Sequence, residues 1–506
     1  MRAPVLAPGR CLRGLLLLPL ATILLLLGSS CYSLHNENSW IRIQNMGSAN
    51  ATIEIKYLSE EGQTVAVQTC PTWGVCPYIA PGAGWTFAES QNPALPSGFV
   101  GSAIITSDQP IAVLLAKDAD GNGGYYETAG DTVSLNAGSD KLYLPLVINR
   151  DGYYQNWDSR FAVQNMGSTT ACATLVYTSN ATDAEVHRDP APGATPQPNC
   201  PKGGVAIAPG GTLFRSVLTM GVGPYFTGSV RVDLVQNGQG TPPSQQYIVA
   251  TTDIFSSNSR HFSGYSGLTS ADMGTSLVLP LIERTAGGEW STDFEIMNAD
   301  PAKPANVSIR IDGWDGNNQF VSKTTTFPVR SSRQCFQDSD WANCLTPGDT
   351  LPQNFHDGTA WVTSDQPVGV IVSRGSNRGD TYVSYRGLRV DSAGQQVYLP
   401  LVNKNSATGG SRTGWSSWVR VMVADGGPAN LRIRYIDPSL PGGEVSYSTS
   451  MYRTNTFITP WEQGLPDGFV GSMVIESDRP IVALGNVTAG PFPGDSDLMY
   501  EGVVAQ

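Results

Sequence analysis

Short runs of alternating apolar and polar residues fill most of this chain, and Gly, Pro, Asn and Asp break them up. A period of two suits half-buried β-strands, and the breakers suit turns. One stretch organises the pattern. Gly98–Val113 reads GFVGSAIITSDQPIAV, returns as GFVGSMVIESDRPIVA at Gly468–Ala483, and stands in shorter form, GTAWVTSDQPVGVIV, at Gly358–Val372. Each copy predicts two strands about a Ser-Asp-x-Pro corner, read as a structural hairpin with Asp108, Asp365 or Asp478 as the corner acid. A blurred copy, YFTGSVRVDLV, runs from Tyr225 to Val235 and is followed by a polar insertion, QNGQGTPPSQQ.

The recurrence extends to whole units. SWIRIQNMGSANATIEIKYLSEEG, WDSRFAVQNMGSTTACATLVYTSN, WSTDFEIMNADPAKPANVSIRIDGWDG and WSSWVRVMVADGGPANLRIRYIDP each open one. Asn45, Asn165 and Asn298 recur at the first turn, where a hairpin with positive φ explains them. The last strand of each unit ends near Tyr126, Tyr265, Tyr385 or Tyr500. Three apolar joints follow, LYLPLV at Leu142–Val147, LVLPLI at Leu277–Ile282 and VYLPLV at Val397–Val402. Each reads as the first strand of the next unit or a strand shared across the joint. Internal repeats of this kind set the fold before any single motif does.

At 506 residues, length alone suggests about three or four domains. With 55 Gly, 35 Pro, 19 Tyr and 11 Trp and only 15% charged residues, the composition favours an all-β chain rich in turns. The net charge of -12 comes without a basic stripe, which argues against nucleic acid as a partner. Arg2, Arg10 and Arg13, the apolar core Leu15–Leu27 and the small residues Gly28-Ser29-Ser30 have the proportions of a signal peptide. The cysteines agree with export. Cys70/Cys76, Cys172/Cys200 and Cys335/Cys344 each fall inside one unit and predict one local disulfide apiece, worth about 2–3 kcal/mol for a short loop. Cys31 stands at the predicted cleavage point and is a lipidation candidate, although Gly28 occupies the place where a large aliphatic residue is usual.

On VQNMGS, PGG and SDQP the chain resembles the tandem immunoglobulin-like or fibronectin-like β-sandwich modules of repetitive bacterial secreted and surface proteins. The resemblance implies an extracellular, non-catalytic setting and carries over no functional residue. The expected fold is therefore all-β, four tandem immunoglobulin-like β-sandwich domains after a signal peptide. The boundaries are 1–30 for the signal, then 31–140, 141–275, 276–395 and 396–506.

Candidate chemistry is sparse. There is no G-x-S-x-G elbow and no H-E-x-x-H, and His35, His187, His261 and His356 do not recur between units, so no catalytic residue and no enzyme activity are expected. Asp118, Asp120 and Asn122 match the first half of a calcium loop, but Ala129 stands at the twelfth position in place of the bidentate acid. They are weak calcium candidates and read better as a hairpin tip; no other cofactor is expected. Trp73, Trp341 and Trp461 lie in variable loops and are ligand-contact candidates. Asn50, Asn180, Asn306 and Asn486 head glycosylation sequons.

The expected role is a secreted or cell-surface structural spacer or adhesion module. The alternative is an extracellular carbohydrate-binding protein using the loop tryptophans. The expected partner is a surface protein or glycan, with membrane contact only through an N-terminal lipid. Three LPLV-type joints serve four units, so one terminal unit is short of a strand. That open edge invites strand addition or self-association.

Overall fold

The computed structural model describes residues 37–72, 76–121, 125–133, 138–149, 157–256, 261–336, 344, 350–376, 381–406, 414–489 and 497–505. The signal region and Cys31 lie outside them. Among the described residues, regular structure is β-strand with a few short 3-10 turns.

The first repeat holds β1 (Glu37–Asn45), β2 (Ile53–Leu58), β3 (Thr64–Cys70), β4 (Gly84–Ala88), β5 (Ser102–Ser107), β6 (Ile111–Gly121) and β7 (Tyr125–Val133). Its sheets run β3-β2-β5 and β4-β1-β6-β7. The second holds β8 (Lys141–Asn149), β9 (Trp157–Asn165), β10 (Ala171–Ser179), β11 (Glu185–Asp189), β12 (Val205–Ile207), β13 (Thr212–Ser216), β14 (Phe226–Val235), β15 (Ile248–Ser256), β16 (Phe262–Ser266) and β17 (Leu268–Thr269). The third holds β18 (Gly274–Arg284), β19 (Trp290–Asn298), β20 (Ala305–Trp314), β21 (Phe320–Val329), β22 (Ser332–Phe336), β23 (Phe355–Ser376), β24 (Tyr382–Arg386) and β25 (Leu388–Arg389). The fourth holds β26 (Gly394–Lys404), β27 (Ser416–Val423), β28 (Pro428–Ile436), β29 (Glu444–Tyr452), β30 (Thr454–Ile458), β31 (Phe469–Thr488), β32 (Asp497–Glu501) and β33 (Val503–Val504).

One antiparallel pairing order recurs. In the third repeat it is β21-β20-β23-β18-β25 on one face, with β19 between β22 and the far half of β23, and β24 beyond. The fourth repeat copies it strand for strand. The result is a β-sandwich, in which one side of each sheet faces a shared apolar core. β2 shows the cause: Ile53, Ile55 and Tyr57 are buried while Lys56 faces out. An immunoglobulin constant domain keeps its first two strands in one sheet. Here the first strand, β18, pairs with β23 and β25, while the second, β19, belongs to the opposite face.

Two turns differ from the hairpins the sequence suggests. The Ser-Asp-x-Pro corner joins segments that do not pair. β5 pairs with β2, whereas β6 pairs with β1 and β7. In the third and fourth repeats the chain passes through the corner as one long strand, β23 or β31, that changes sheets. Likewise β1 and β2 lie in different sheets, and Asn45 is not a positive-φ residue. It recurs because its buried carboxamide ties the crossing together. Nδ2 donates to the carbonyls of Ala49 (2.7 Å) and Ile79 (2.8 Å), and Oδ1 accepts the Gly47 N–H (2.8 Å). Asn165 and Asn298 bridge carbonyls at the same place. Buried backbone groups need such partners wherever the ladder stops.

Each LPLV-type segment opens its own repeat. β8 pairs with β14 and β17, β18 with β23 and β25, and β26 with β31 and β33. Proline cannot donate to a ladder, and each of these strands bulges at the Pro-Leu step, where two residues oppose one. A buried tyrosine serves the leucine there. The Tyr265 hydroxyl donates to Leu146 O (2.6 Å) and accepts Leu146 N–H (3.3 Å). Tyr385 does the same at Leu281 (2.5 and 3.3 Å), and Tyr500 donates to Leu401 O. Burial raises all three phenols above their ordinary range. In the first repeat the register puts Asp131, not Tyr126, opposite Leu115 where Tyr385 stands opposite Val372.

The repeats close on themselves. β7 lies against β16, β16 against β24, β24 against β32, and β32 against β7. The core of the first repeat takes in Tyr398, Ile436 and Val474 of the fourth. Closure sets the fourth repeat on the first, so the reach of modules strung in a line is not realised.

Replacing Tyr385 by Phe strands the Leu281 backbone groups in the core. The cost is expected to be about 1–3 kcal/mol, read by calorimetry as a lower melting temperature at unchanged β content. An unchanged melting temperature would refute this role for the hydroxyl.

Candidate binding edge and the seams of the ring

Every seam of the ring joins the same two surfaces. The outer face of the sheet that carries the LPLV strand in the last three repeats, and β3-β2-β5 in the first, meets the outer face of the next repeat's other sheet. Leu58 reaches Gly210 at one seam as Ile436 reaches Gly82 at another. The column of residues three places before Asn45, Asn165, Asn298 and Val423 decides how the seam is polarised. Arg42 donates from Nε to the carbonyl of Pro400 (2.5 Å), and Arg420 from Nε to that of Pro280 (3.1 Å). Arginine suits the task because a bulged proline carbonyl has no ladder donor facing it. The third repeat carries Glu295 in this column, fully buried. Gln334 Nε2 donates to its Oε1 (2.9 Å), and Oε2 has no hydrogen-bond partner. Burial, with help from the charge of Asp293, pushes its carboxyl well above the ordinary value. The second repeat carries Ala162, which is only half-buried.

Deeper in the ring the contacts are also polar. Arg386 forms a buried ion pair with Glu501 (3.1 Å), and Ser263 bonds Ser384 (3.0 Å). The seam between the first and second repeats is built from charges. Lys117 Nζ and Arg160 Nε both bond Asp253 at 2.8 Å, and Arg160 also pairs with Glu37. Burial opposes the charge on Asp253, but the two cations outweigh it and hold the carboxyl below its ordinary value.

Most sequence-predicted site residues fall into structural places. Cys70 joins Cys76, Cys172 joins Cys200 and Cys335 joins Cys344, with Cα–Cα distances of 5.5, 5.6 and 5.3 Å. Asp118 is a strand residue that accepts the Trp40 indole N–H (3.1 Å). Asp120 lies next to the end of β6, opposite Tyr126, and Asn122 lies outside the described residues. Among the described residues no three His, Cys, Asp or Glu side chains gather as metal ligands. Trp73 and Trp341 lie outside the described residues. Trp461 stands 75% exposed on the 3-10 turn Thr459–Trp461. The corner acids clamp a neighbouring strand. Asp108, Asp365 and Asp478 accept the N–H of Thr52 (2.8 Å), Asn306 (2.7 Å) and Asn430 (2.8 Å), and those bonds lower each carboxyl's pKa. His261 stacks on Trp157, and His356 bonds the Asn354 carbonyl. Asn486 is fully buried, whereas Asn50 and Asn306 are exposed.

The first repeat is the exception that exposes something. Among the described residues β5 has one pairing partner, β2. Its counterparts β14, β23 and β31 also pair with β8, β18 and β26. The core on that side is correspondingly uncovered. Ala103 and Ile105 are half-buried, while Ala360 and Val362 at the same register are fully buried. Leu115 is half-buried against a fully buried Val372. Val100 is 57% exposed; its counterpart Val470 lies opposite Asn403 of β26. At the end of this gap stands Glu89, whose carboxyl burial pushes up to about 8. Neither of its oxygens has a partner in hydrogen-bonding geometry; the Tyr57 hydroxyl, which donates to Gln68 Oε1 (3.2 Å), is near enough only to offset part of the effect of burial. The sequence hint was the count of LPLV segments, one fewer than the number of repeats.

No family model matches the chain, and no curated protein matches its sequence. Among solved structures, one match is the crystal structure of a tetra-tandem repeat in the extending region of a large adhesion protein. It is 11% identical, and the match covers 91% of this chain and 94% of that one. The TM-score is 0.10, too low to describe a common fold, and nothing below rests on it.

The two buried acids predict opposite pH responses. Glu295 is raised in the fold, so the stability it supports is complete below about 4.5 and falls as pH rises through the folded value. Glu295→Gln should therefore melt higher than the parent at pH 8, with the gap closing toward pH 4. Asp253 is lowered, so its contribution is present above its ordinary value of 3.8 and is lost in stronger acid. Asp253→Asn should cost about 1–3 kcal/mol at pH 7, less than a fully buried pair because both cations keep some water contact. Melting curves of the two variants between pH 3 and 8 check both signs.

Proposed function

We propose that the protein is a non-enzymatic extracellular binding module, adhesive in role, that engages a protein partner through the unpaired β5 edge of the first repeat. One observation carries this reading: among the described residues β5 is bonded on one side only, and Ala103, Ile105 and Leu115 beside it are left half-buried where the other repeats bury them. Unpaired strand edges with an uncovered apolar flank are templates for another strand, and natural sheets cover or charge them unless they are used. The three disulfides fit an oxidising compartment outside the cell. The closed ring gives the edge a rigid mount, which lowers the ordering cost of binding.

A carbohydrate reading has one observation in its favour, the 75% exposed Trp461. An exposed indole is a flat apolar surface of the kind sugars stack on. The two readings separate in one pair of experiments. Panning random peptides displayed on phage against the immobilised chain should enrich short apolar segments, and Ile105→Lys should abolish the enrichment while Trp461→Ala leaves it intact. Binding on a glycan array that disappears in Trp461→Ala, with no edge-dependent peptide, would replace the strand-addition reading by the carbohydrate one.

A further inference from the structure

The proposal above names an edge; the other three repeats show what fits it. We propose that the first-repeat slot takes an extended segment of another polypeptide, antiparallel to β5, whose central residues are a short apolar run and which ends in a lysine or arginine that reaches Glu89 and the Leu95 carbonyl. This rests on the strand-addition reading and specifies its ligand.

The filled slots supply the pattern. β26 lays Val397, Leu399, Leu401 and Val402 into the core, all buried, and runs antiparallel to β31. β18 does the same with Leu277, Leu279, Leu281 and Ile282 against β23. Ala103 and Ile105 occupy on β5 the register that Met473 and Ile475 occupy on β31. An incoming strand therefore meets the same row of core positions with the same spacing. The other face of a resident strand packs on the following repeat and is apolar as well, since Val278 and Tyr398 are buried there, so the occupant carries apolar side chains on both faces of its central part.

The terminal cation follows from the same comparison. Lys404 closes β26 by donating from Nζ to the carbonyls of Glu462 (2.7 Å) and Leu465 (2.8 Å). Arg284 closes β18 by donating to the carbonyl of Leu351. Leu95, Leu351 and Leu465 each precede a proline at the same distance before the strand that receives the slot's occupant. Thr459, which donates to the Asn403 carbonyl of β26 (2.5 Å), is replaced in the first repeat by Glu89. The slot thus ends on a buried carboxyl with no hydrogen-bond partner on either oxygen, beside a carbonyl that the third and fourth repeats give to a cation and the second repeat gives to the Asn149 amide (2.7 Å). A buried acid of that kind is costly until a positive group pairs with it.

A proline is not part of the requirement. Where a proline strand is resident, a tyrosine serves its bulge; Asp131 holds that register in the first repeat. The column that bonds the proline carbonyl elsewhere, Arg42 and Arg420, is Ala162 on the repeat facing the slot. Both devices that recognise a resident proline strand are missing together among the described residues, which fits an ordinary strand supplied by another chain.

The test uses the secreted form of the chain, with its N-terminus read by mass spectrometry, and a labelled peptide copying residues 394–404, GQQVYLPLVNK, together with its Pro400→Val and Lys404→Glu forms. Fluorescence anisotropy gives affinity, and amide hydrogen exchange gives location. The Pro400→Val peptide should bind at least as well as the parent, and Lys404→Glu should bind about tenfold more weakly. Glu89→Lys in the protein should reverse that preference, which a merely folding-defective variant would not do. New protection should fall on Ser102–Ser107. Protection on Phe469–Thr488 instead, which would mean exchange with β26, overturns the proposal. So does a β5 already protected in a secreted chain that retains residues 15–27. If panning selects strands at β5 without a terminal cation, the ligand chemistry falls and the binding edge stands; if neither panning nor these peptides reach β5, both fall.

Discussion

A proline inside a paired strand has a carbonyl to accept with and no N–H to give, and this repeat fold is arranged around that asymmetry. The strand bulges at the Pro-Leu step, and two carbonyls and one N–H are left without ladder partners. The leucine's groups go to a tyrosine from the strand near the ring's centre, which bolts the first and last parts of a repeat together across the sandwich. The proline's carbonyl points outward and is met by an arginine of the following repeat at two of the seams. A single defect in one ladder thus supplies both the internal tie and the seam contact. Among the described residues of the first repeat the proline strand, the tie and the contact are absent together.

The seams are more polar than the cores they separate. Three of them still share apolar side chains: Met297, Ile371 and Tyr382 join the second repeat's core, Leu484 and Met499 the third's, and Leu114 and Ala116 the fourth's. The seam between the first and second repeats relies on the Lys117–Asp253–Arg160–Glu37 chain of charges. Charged pairs with some water contact contribute less than apolar burial and depend on pH and salt. That places the most adjustable junction of the ring beside the open strand edge.

Much of the repeat could be read from residues alone. Period-two alternation marked the strands, and the LPLV joints and the recurrent Tyr265, Tyr385 and Tyr500 marked where repeats begin and end. The count of joints marked one terminal repeat as incomplete and left open which. Pairing was less legible, because alternating apolar residues look the same whether two neighbouring strands pair or face each other across a core. Hence the Ser-Asp-x-Pro corner and the Asn45 turn read as hairpins and are sheet crossings. Ring closure left almost no trace. The residues that make it, Arg42, Glu295 and Arg420, occupy outward positions on their strands, which an alternation argument assigns to water. A signal existed in the alignment of the repeats: one column carries Arg, Ala, Glu and Arg, a variation that a solvated surface does not need. Glu89 was invisible for a related reason, since only its replacement of Thr459 at a strand-facing position gives it meaning.

Closure also bears on how such a chain can change over generations. An open row of modules tolerates duplication or loss of a module, because each new copy finds a free end. In a ring built from one repeated head-to-tail contact, the rotation per step must bring the last copy back to the first. Here the fourth repeat already meets the first through Tyr398, Ile436 and Val474. An inserted copy would have no face to sit against, and a deleted one would leave two faces bare. Copy number in this architecture is therefore fixed by geometry, while individual repeats stay free to diverge, as the first has done in carrying Glu89 where the fourth carries Thr459.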